Sequence, residues 1–280
     1  MKYNIDIQNE RMLKKMKKVL AILLAMAMVV AFAGCGKKTE DDSTGVTSDM
    51  QYVKDKGTLV VGITEFEPMD YKDENGEWIG FDADMAKAFS EYLGVNVEFV
   101  EIDWDNKIME LDGKSIDCVW NGMTLTDEVT SSMACSAPYC NNQQVVIVPS
   151  DKKDSYTKAE DCKELNFAVE AGSAGYDMAV ENGFNYTEVK DQATALMEVA
   201  AGSCDAAIID SLMAAAMVGE GTGYENLTYT FGLNDEKYGV GFRKGSDLAL
   251  ELDKFFKESN ENGLTEKCAE TYGVQAALIK

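Results

Sequence analysis

The sequence predicts an α/β fold of two lobes with mostly parallel sheets. Short apolar runs of strand type alternate with segments whose apolar residues recur at helical spacing, and this alternation is typical of parallel strands joined by helices. Two stretches, 105–121 and 191–210, repeat one order of helix, glycine, aspartate, apolar strand and polar residue. Because ligands bind beyond the carboxyl ends of the strands in open α/β sheets, this repeat indicates two lobes that face a shared cleft.

Each element is predicted from its local pattern, taken in chain order. The run TLVVGI is apolar throughout and favours a strand, whereas FDADMAKAFSEYLG has apolar residues at helical spacing and Gly94 at its end,. By the same criteria, strands are predicted at residues 58–63, 95–102, 116–120, 143–148, 165–170, 204–210 and 238–243. Helices are predicted at residues 81–94, 105–113, 173–183, 191–202, 211–220, 247–262 and 264–272.

The N-terminal segment is predicted to be an export signal. Two lysines precede an apolar run at residues 19–33, and small residues follow it, which is the layout of a secretory signal. The run is short for a membrane span, which needs roughly 20 apolar residues. It ends in Ala-Gly-Cys, similar to a lipobox, so residues 1–34 are predicted to be a lipoprotein signal peptide, with Met16 as an alternative start, and Cys35 the lipidated residue. An ordinary cleaved signal with a chance cysteine is the alternative.

Composition excludes several classes of function. The chain has 280 residues, a formal net charge of −23 and no histidine. A chain this acidic is a poor partner for nucleic acid, and the lack of histidine excludes histidine acid–base catalysis and imidazole metal ligands. No cysteine pair has the CxxC spacing of a zinc site. No metal and no cofactor are therefore predicted.

The segment after the signal is polar and poor in apolar residues, so residues 35–50 are predicted to be a flexible tether,. An extracellular location permits disulfides. Cys118 and Cys204 lie in apolar, strand-like runs, where cysteine behaves as a small hydrophobe. We therefore expect mostly free thiols among the six cysteines that follow the tether, at positions 118, 135, 140, 162, 204 and 268.

Seven motifs in this order resemble those of the extracellular solute-binding proteins, family 3, which serve bacterial ABC importers of polar amino acids. They are GTLVVGITEFEPMDY, GEWIGFDADMAKAFSEYLG, IDCVWNGMTLTDE, SAPY, VEAGSAG, CDAAIID and YGVGFRKGSDL. The resemblance implies a type II periplasmic-binding-protein-like fold that closes on its ligand about a hinge. It implies a lobe 1 of residues 51–140 and 237–280 and a lobe 2 of residues 141–236, with crossings near 139–143 and 234–238.

The resemblance also implies the partners. They are a small amino acid ligand, the permease subunits of an ABC transporter, and a membrane reached through the lipid anchor on its outer face. The protein is expected to be a monomer without enzymatic activity. Secreted dehydratases of prephenate-like acids share the fold, but their carboxylate substrates need cationic groups, and this chain has no histidine and no arginine at the family's site position. A sensor that binds ligand without transport is a further alternative.

Five residues of the first half are assigned to the ligand by the resemblance. Phe66 and Trp104 match aromatic residues on either side of the ligand, although Phe66 alternatively packs on the core. Gly122 matches a carbonyl that accepts from the ligand's ammonium, and Thr124 supplies a hydroxyl. Asn121 stands beside them at the strand end.

The second half of the chain contributes the groups expected to bind the ammonium and the carboxylate of the ligand. Asp210 matches the carboxylate that pairs with the ligand's ammonium, and its position also fits the N-cap of a helix. Ser173 and Ala174 open a helix where the family binds the ligand's carboxylate, which the helix dipole favours. The family usually adds an arginine for that carboxylate, but this chain has Val129 there. Either the helix start carries the carboxylate, alone or with a lysine, or the ligand has no α-carboxylate in the usual place. Arg243 matches a strand outside the site.

Acidic residues favour a cationic ligand. Glu170 ends a predicted strand at a position that in the family can face the ligand's side chain, and Glu65 adjoins the aromatic Phe66. With Asp210, three carboxylates would approach a cleft without the usual arginine, and a cationic ligand would offset the cost of burying them. A basic amino acid or related amine is therefore favoured, with neutral polar amino acids as the rival class.

Overall fold

The structure, a computed structural model, describes residues 48–279. The predicted signal peptide and Cys35 lie outside these residues. No helix within 48–279 is long and apolar enough to cross a membrane. The described part of the chain contains nine α-helices: α1 (Asp49–Lys56), α2 (Phe81–Leu93), α3 (Lys107–Asp112), α4 (Asp127–Ser132), α5 (Ala174–Asn182), α6 (Gln192–Ala201), α7 (Ser211–Met217), α8 (Leu248–Glu261) and α9 (Leu264–Tyr272).

Strands alternate with these helices. Over the same residues they are β1 (Thr58–Ile63), β2 (Tyr71–Lys72), β3 (Trp78–Ile79), β4 (Asn96–Glu101), β5 (Cys118–Val119), β6 (Ala134–Cys135), β7 (Cys140–Asn142), β8 (Gln144–Pro149), β9 (Asn166–Glu170), β10 (Asn185–Val189), β11 (Ala206–Asp210), β12 (Leu227–Gly232), β13 (Glu236–Tyr238) and β14 (Gly241–Phe242). Short 3-10 helices occupy Trp104–Asn106, Ser150–Ser155 and Ala159–Cys162.

Two five-stranded sheets form the framework. The first has the order β4-β1-β5-β14-β6, and the second has the order β10-β9-β11-β8-β12. In each sheet one strand, β14 or β8, runs antiparallel to its neighbours, and the other four point the same way. The α/β fold with mostly parallel sheets is therefore confirmed. We call the part built on the first sheet lobe 1 and the part built on the second lobe 2.

Two short strands connect the lobes. The chain passes from lobe 1 through β7 into β8, and it returns through β13 into β14. β7 and β13 pair with each other in antiparallel register, with Glu236 opposite Asn142 and Tyr238 opposite Cys140. Lobe 1 is completed after this return by α8 and α9, which pack on each other and on α2.

The central strand of lobe 1 is shorter than its sequence pattern predicts. A strand was expected over residues 116–120, and regular pairing is limited to β5. Backbone hydrogen bonds to β1 nevertheless continue before and after β5, from Asp117 N to Val60 O (2.7 Å) and from Trp120 N to Gly62 O (3.3 Å). The segment is thus held in the sheet along the predicted length, and it delivers the following Asn-Gly to the sheet's edge.

The predicted tether is wrong at its C-terminal end, because its last residues belong to α1. The Ser48 side chain accepts a hydrogen bond from Gln51 N at 3.1 Å and caps this helix,. Met50 N donates to the carboxylate of Asp247 at 2.9 Å. Val53 is fully buried. Contacts to residues almost 200 positions away therefore order a segment whose local composition is polar.

Arg243 fixes α1 to lobe 1. Its guanidinium pairs with Asp49 (Nε–Oδ2, 3.0 Å) and with Asp117 (Nη2–Oδ1, 3.1 Å). It also donates to the carbonyl of Ile116 at 2.7 Å. The side chain is 9% exposed and Asp117 is fully buried, so these charges satisfy each other within the lobe and not in the cleft.

The six cysteines of the described residues are all free thiols: Cys118, Cys135, Cys140, Cys162, Cys204 and Cys268. Burial raises the pKa of the Cys118 thiol well above its usual range, with the neighbouring Asp117 carboxylate adding to the effect. Cys204 lies two residues before β11 and not within a strand, because its N–H bonds to Glu198 O at 3.2 Å and closes the preceding helix.

Candidate functional site

A cavity lies between the two lobes, and every residue that the sequence analysis assigned to the ligand lines it. These residues are Phe66, Trp104, Asn121, Gly122, Thr124, Glu170, Ser173, Ala174 and Asp210. The cavity encloses about 520 Å³ of space between its walls, open solvent included. Val129 also lines it. Neither sheet could build this surface alone, because lobe 1 and lobe 2 each supply strand ends and loops.

Gly122 is required where the chain leaves β5. It has φ +53°, and a Cβ added to it would lie 2.5 Å from Phe66 Cε1 and 3.2 Å from Tyr238 Cε2. Its N–H donates to Asp82 Oδ2 at 2.6 Å. Phe66 is 3% exposed and stacks edge-on against Tyr238, with ring centroids 6.3 Å apart. Phe66 thus packs on the core and also lines the cavity.

Asn121 positions the loop and has no free amide proton for a ligand. Its Oδ1 accepts from Thr64 N (3.0 Å) and Thr64 Oγ1 (2.7 Å). Its Nδ2 donates to Thr64 O (3.0 Å) and to Asp70 Oδ2 (2.8 Å). Because an amide group has two donor protons, both are used, and we reassign Asn121 from ligand contact to support of the cavity wall.

Asp210 lies at the end of β11 and is surrounded by neutral donors. Its Oδ1 accepts from Asn142 Nδ2, from Gln144 Nε2 (3.0 Å) and from Tyr238 Oη (2.7 Å), and its Oδ2 accepts from Gln192 Nε2. It stands at the N-cap position of α7 but makes no capping hydrogen bond. The side chain is therefore held by the cleft and not by the helix.

No cation neutralises Asp210 within residues 48–279. Burial raises the pKa of this carboxyl well above its usual range, and the nearby Glu236 carboxylate raises it further. Glu236 itself accepts from Thr124 Oγ1 (2.8 Å), Asn142 Nδ2 (2.6 Å) and Gln144 Nε2 (2.8 Å). Thr124 therefore donates its hydroxyl proton to Glu236 and keeps only acceptor capacity for a ligand.

Glu170 is a second buried carboxyl in the cavity wall. It ends β9, is 3% exposed, and its Oε1 makes no hydrogen bond. Burial raises the pKa of Glu170 to about 8, and the charges of Asp210 and Asp191 act in the same direction. A buried oxygen without a partner costs free energy, so this atom marks where a donor would be most stabilising.

The start of α5 closes the lobe 2 side of the cavity. Ser173 is the N-cap residue, and its Oγ accepts from Tyr176 N at 3.1 Å. The helix runs for nine residues from Ala174, so its first N–H groups and its dipole favour an anion at this end. The hydroxyl proton of Ser173 is not used by the cap and adds a second kind of donor.

Lys107 also lines the cavity, and the sequence analysis did not single it out. It opens α3, directly after the 3-10 turn that carries Trp104, and it is 4% exposed. Its Nζ donates to Gly172 O (2.9 Å) in lobe 2 and to Trp104 O (3.3 Å), and it lies 5.1 Å from the centre of the Trp104 ring. Burial lowers the pKa of Lys107, opposed mainly by Glu128 and Glu170. The sequence signal that could have indicated this role is the position of Lys107, three residues after Trp104, which was assigned to the ligand.

The two lobes touch each other at the edge of the cavity. Gly172 has φ +66°, and a Cβ added there would lie 2.7 Å from Asp105 Oδ1 of lobe 1. Lys190 of lobe 2 pairs with Glu101 of lobe 1, with 53% and 38% of the two side chains exposed. The cleft is therefore narrow in this structure, and its walls are within reach of one small ligand.

Two mixed α/β lobes joined by a pair of crossing strands, with polar and aromatic residues facing a cleft between them, define a type II periplasmic binding protein fold. Residues 59–275 match the model of the bacterial extracellular solute-binding proteins, family 3. The chain therefore belongs to this family, as its seven motifs predicted.

Known relatives bind amino acids. The chain is 27% identical to the arginine-binding extracellular protein ArtP of Bacillus subtilis over 90% of its length and 96% of that protein. It is 26% identical to the L-cystine-binding protein TcyJ of Escherichia coli K12 over 89% of its length and 94% of that protein. Among solved structures, a mutant of ArgBP from T. maritima superimposes with a TM-score of 0.75 and 30% identity, covering 80% of this chain and 98% of that one.

Proposed function

We propose that the protein captures a polar amino acid with a cationic side chain in its cleft and delivers it to the permease of an ABC importer. The observation that carries the cationic preference is the buried, unpartnered Oε1 of Glu170. It lies in a cavity lined by five carboxylates and one lysine: Glu65, Glu128, Glu170, Asp177, Asp210 and Lys107. Acidic side chains without cations are costly in such a place, and a cationic ligand offsets that cost.

The two buried carboxyls match the two cationic groups of a basic amino acid. The α-ammonium donates to Asp210, whose Oδ2 accepts one hydrogen bond in the structure and retains acceptor capacity,. The aliphatic stem of the ligand lies between Phe66 and Trp104, and the side-chain cation reaches Glu170. The α-carboxylate lies at Ser173, at the start of α5.

A neutral polar amino acid is the second candidate, and one observation favours it. With a pKa of about 8, Glu170 is largely protonated at pH 7 and would donate a hydrogen bond to a neutral side chain. The relative that binds L-cystine belongs with this alternative. A bound cation would instead remove the proton from Glu170, because a nearby opposite charge lowers the pKa of a carboxyl.

The Glu170→Gln variant separates the two candidates. We expect wild type to bind lysine, arginine or ornithine in titration calorimetry, and the variant to bind the same ligand at least about tenfold more weakly, a loss of roughly 1.4 kcal/mol. Glutamine and cystine serve as the neutral comparison ligands. Binding of neutral amino acids alone, with affinity retained in the variant, would exclude the cationic preference and leave amino acid capture intact.

The lipid anchor is a separate proposal that concerns residues outside 48–279. The basic, apolar, Ala-Gly-Cys order before residue 36 supports lipidation of Cys35, which would leave the binding lobes tethered on the outer face of the membrane. We expect Cys35→Ser to release the protein into the medium or to leave its signal uncleaved, as measured by fractionation and mass spectrometry. A variant that stays anchored and normally processed would contradict the proposal.

The proposed role is capture and not catalysis. The chain has no histidine, and the Asp210 carboxyl of the cavity is engaged by amide and hydroxyl donors. A sensor would bind the same ligand. Loss of uptake of labelled ligand on deletion of the gene supports transport, whereas unchanged uptake favours sensing.

A further inference from the structure

We propose that Lys107 binds the α-carboxylate of the ligand and takes the place of the arginine that the family resemblance expects at Val129. This inference rests on the proposed amino acid function. It makes Lys107 a residue that selects amino acids over their decarboxylated amines. Position 129 cannot supply a cation, the arginine of the described residues is engaged elsewhere, and the Lys107 ammonium lies beside the start of α5.

The position of Val129 is built for an apolar side chain. Val129 is 2% exposed and packs in an apolar cluster with Trp104, Met123 and Met133. Its N–H donates to Thr126 Oγ1 at 3.2 Å, as part of the cap of α4. The adjacent Glu128, which also lines the cavity, brings negative charge. Val129 and Glu128 therefore provide no cation that pairs with a carboxylate.

Within residues 48–279 the chain has one arginine, and it is fully used elsewhere. Arg243 pairs with Asp49 and Asp117 and donates to Ile116 O. It does not line the cavity. A cation for the ligand must come from a lysine, and Lys107 is the lysine among the residues that line this cavity.

The ammonium of Lys107 is held one residue from the N-cap of α5. Its Nζ donates to Gly172 O at 2.9 Å and to Trp104 O at 3.3 Å, and an ammonium has three protons. One proton is left. Because Gly172 directly precedes Ser173, that proton and the first N–H groups of α5 are placed to act on the same carboxylate. The carboxylates around it, Glu128, Glu170, Asp105 and Asp177, favour the charged form against the effect of burial.

A purely structural role for Lys107 makes a different prediction. The bond to Gly172 O joins lobe 1 to lobe 2, so Lys107 could act only by holding the cleft closed. In that case its loss weakens every ligand by the same factor. A role in carboxylate binding weakens only ligands that carry the carboxylate.

The experiment compares each amino acid with its decarboxylated amine. Dissociation constants are measured by calorimetry for arginine and agmatine, lysine and cadaverine, and glutamine and 4-aminobutanamide, with wild type, Lys107→Met and Lys107→Arg. Methionine keeps the length and apolar stem of the side chain and removes the charge. We expect Lys107→Met to reduce the preference for the amino acid over its amine at least about tenfold, roughly 1.4 kcal/mol. Lys107→Arg should retain most of this preference, because arginine keeps the charge.

Lys190→Met is the matched control. Lys190 also bridges the lobes, through Glu101, but it does not line the cavity. Any effect of this variant should be the same for both members of a pair. Circular dichroism and thermal melting confirm that each variant is folded.

The outcomes separate this inference from the function on which it rests. If only glutamine binds, the cationic preference fails and the glutamine pair still tests Lys107. If Lys107→Met weakens both members of a pair equally, or weakens neither, the carboxylate role is overturned. If no amino acid binds wild type, the inference is overturned together with the proposed function.

Discussion

Replacing Arg243 with methionine is expected to lower the free energy of unfolding by about 3–5 kcal/mol, because it removes a buried guanidinium that pairs with two carboxylates,. Asp117 is fully buried and pairs with Arg243 at 3.1 Å; without Arg243 it keeps Lys56, at 2.6 Å, and the N–H of Val60, at 2.8 Å. The carbonyl of Ile116 also loses its donor. The loss should detach α1 from lobe 1 before the rest of the lobe unfolds.

Urea denaturation followed by circular dichroism measures this loss. Lys244→Met is the control, because Lys244 is the next residue in the chain and its exposed ammonium contacts only the carbonyl of Ser131 in the hydrogen bonds of the structure. We expect that variant to change stability by less than about 0.5 kcal/mol. If the free energy of unfolding of Arg243→Met lies within about 1 kcal/mol of the wild-type value, the prediction is contradicted. Solvent would then reach and satisfy the carboxylates around position 243.

Glu170→Gln is expected to make the ligand-free protein more stable at high pH. The pKa of Glu170 is raised to about 8 in the folded state from an ordinary value of 4.5. Its favourable contribution is therefore complete below about pH 4.5 and is lost as the pH rises towards 8. Glutamine has no proton to lose, so the variant should exceed wild type by about 3–5 kcal/mol at pH 9 and match it near pH 4.

Thermal melting of ligand-free protein between pH 4 and pH 9 tests this prediction. Glu101→Gln is the control with the opposite sign, because the hydrogen bond and charge of Lys190 lower the pKa of Glu101. Glu101→Gln should melt at a slightly lower temperature than wild type when the pH is above the ordinary pKa of glutamate. Well below that pKa the two proteins should melt at the same temperature. Parallel pH profiles for Glu170→Gln and wild type would contradict the burial of an unpaired carboxyl.

Local patterns were sufficient for the elements that carry the sheets. Apolar runs and helical periodicity predicted the helices at 81–94 and 191–202 and the strand at 58–63. These elements are buried against the core of a single lobe, so the spacing of apolar residues close together in the sequence is sufficient to predict them. The motif residues that line the cavity lie mostly at or after the ends of β1, β5, β9 and β11.

Features that depend on distant partners were not predictable. α1 is ordered by Arg243 and Asp247, almost 200 positions away. Lys107 gains its position from Gly172, 65 residues along the chain. Asn121 was assigned to the ligand because of where it stands, whereas its hydrogen bonds to Thr64 and Asp70 depend on a pairing between β1 and β5 that no local pattern shows.

The free thiols have a practical consequence for maturation and for laboratory work. Because no disulfide joins the six cysteines of residues 48–279, we expect both lobes to fold without disulfide formation. The binding lobes should therefore be obtainable from the reducing cytosol of an expression host. Of these six thiols, Cys135 and Cys268 are partly exposed and the other four are buried. Alkylating reagents and fluorescent labels should reach those two first.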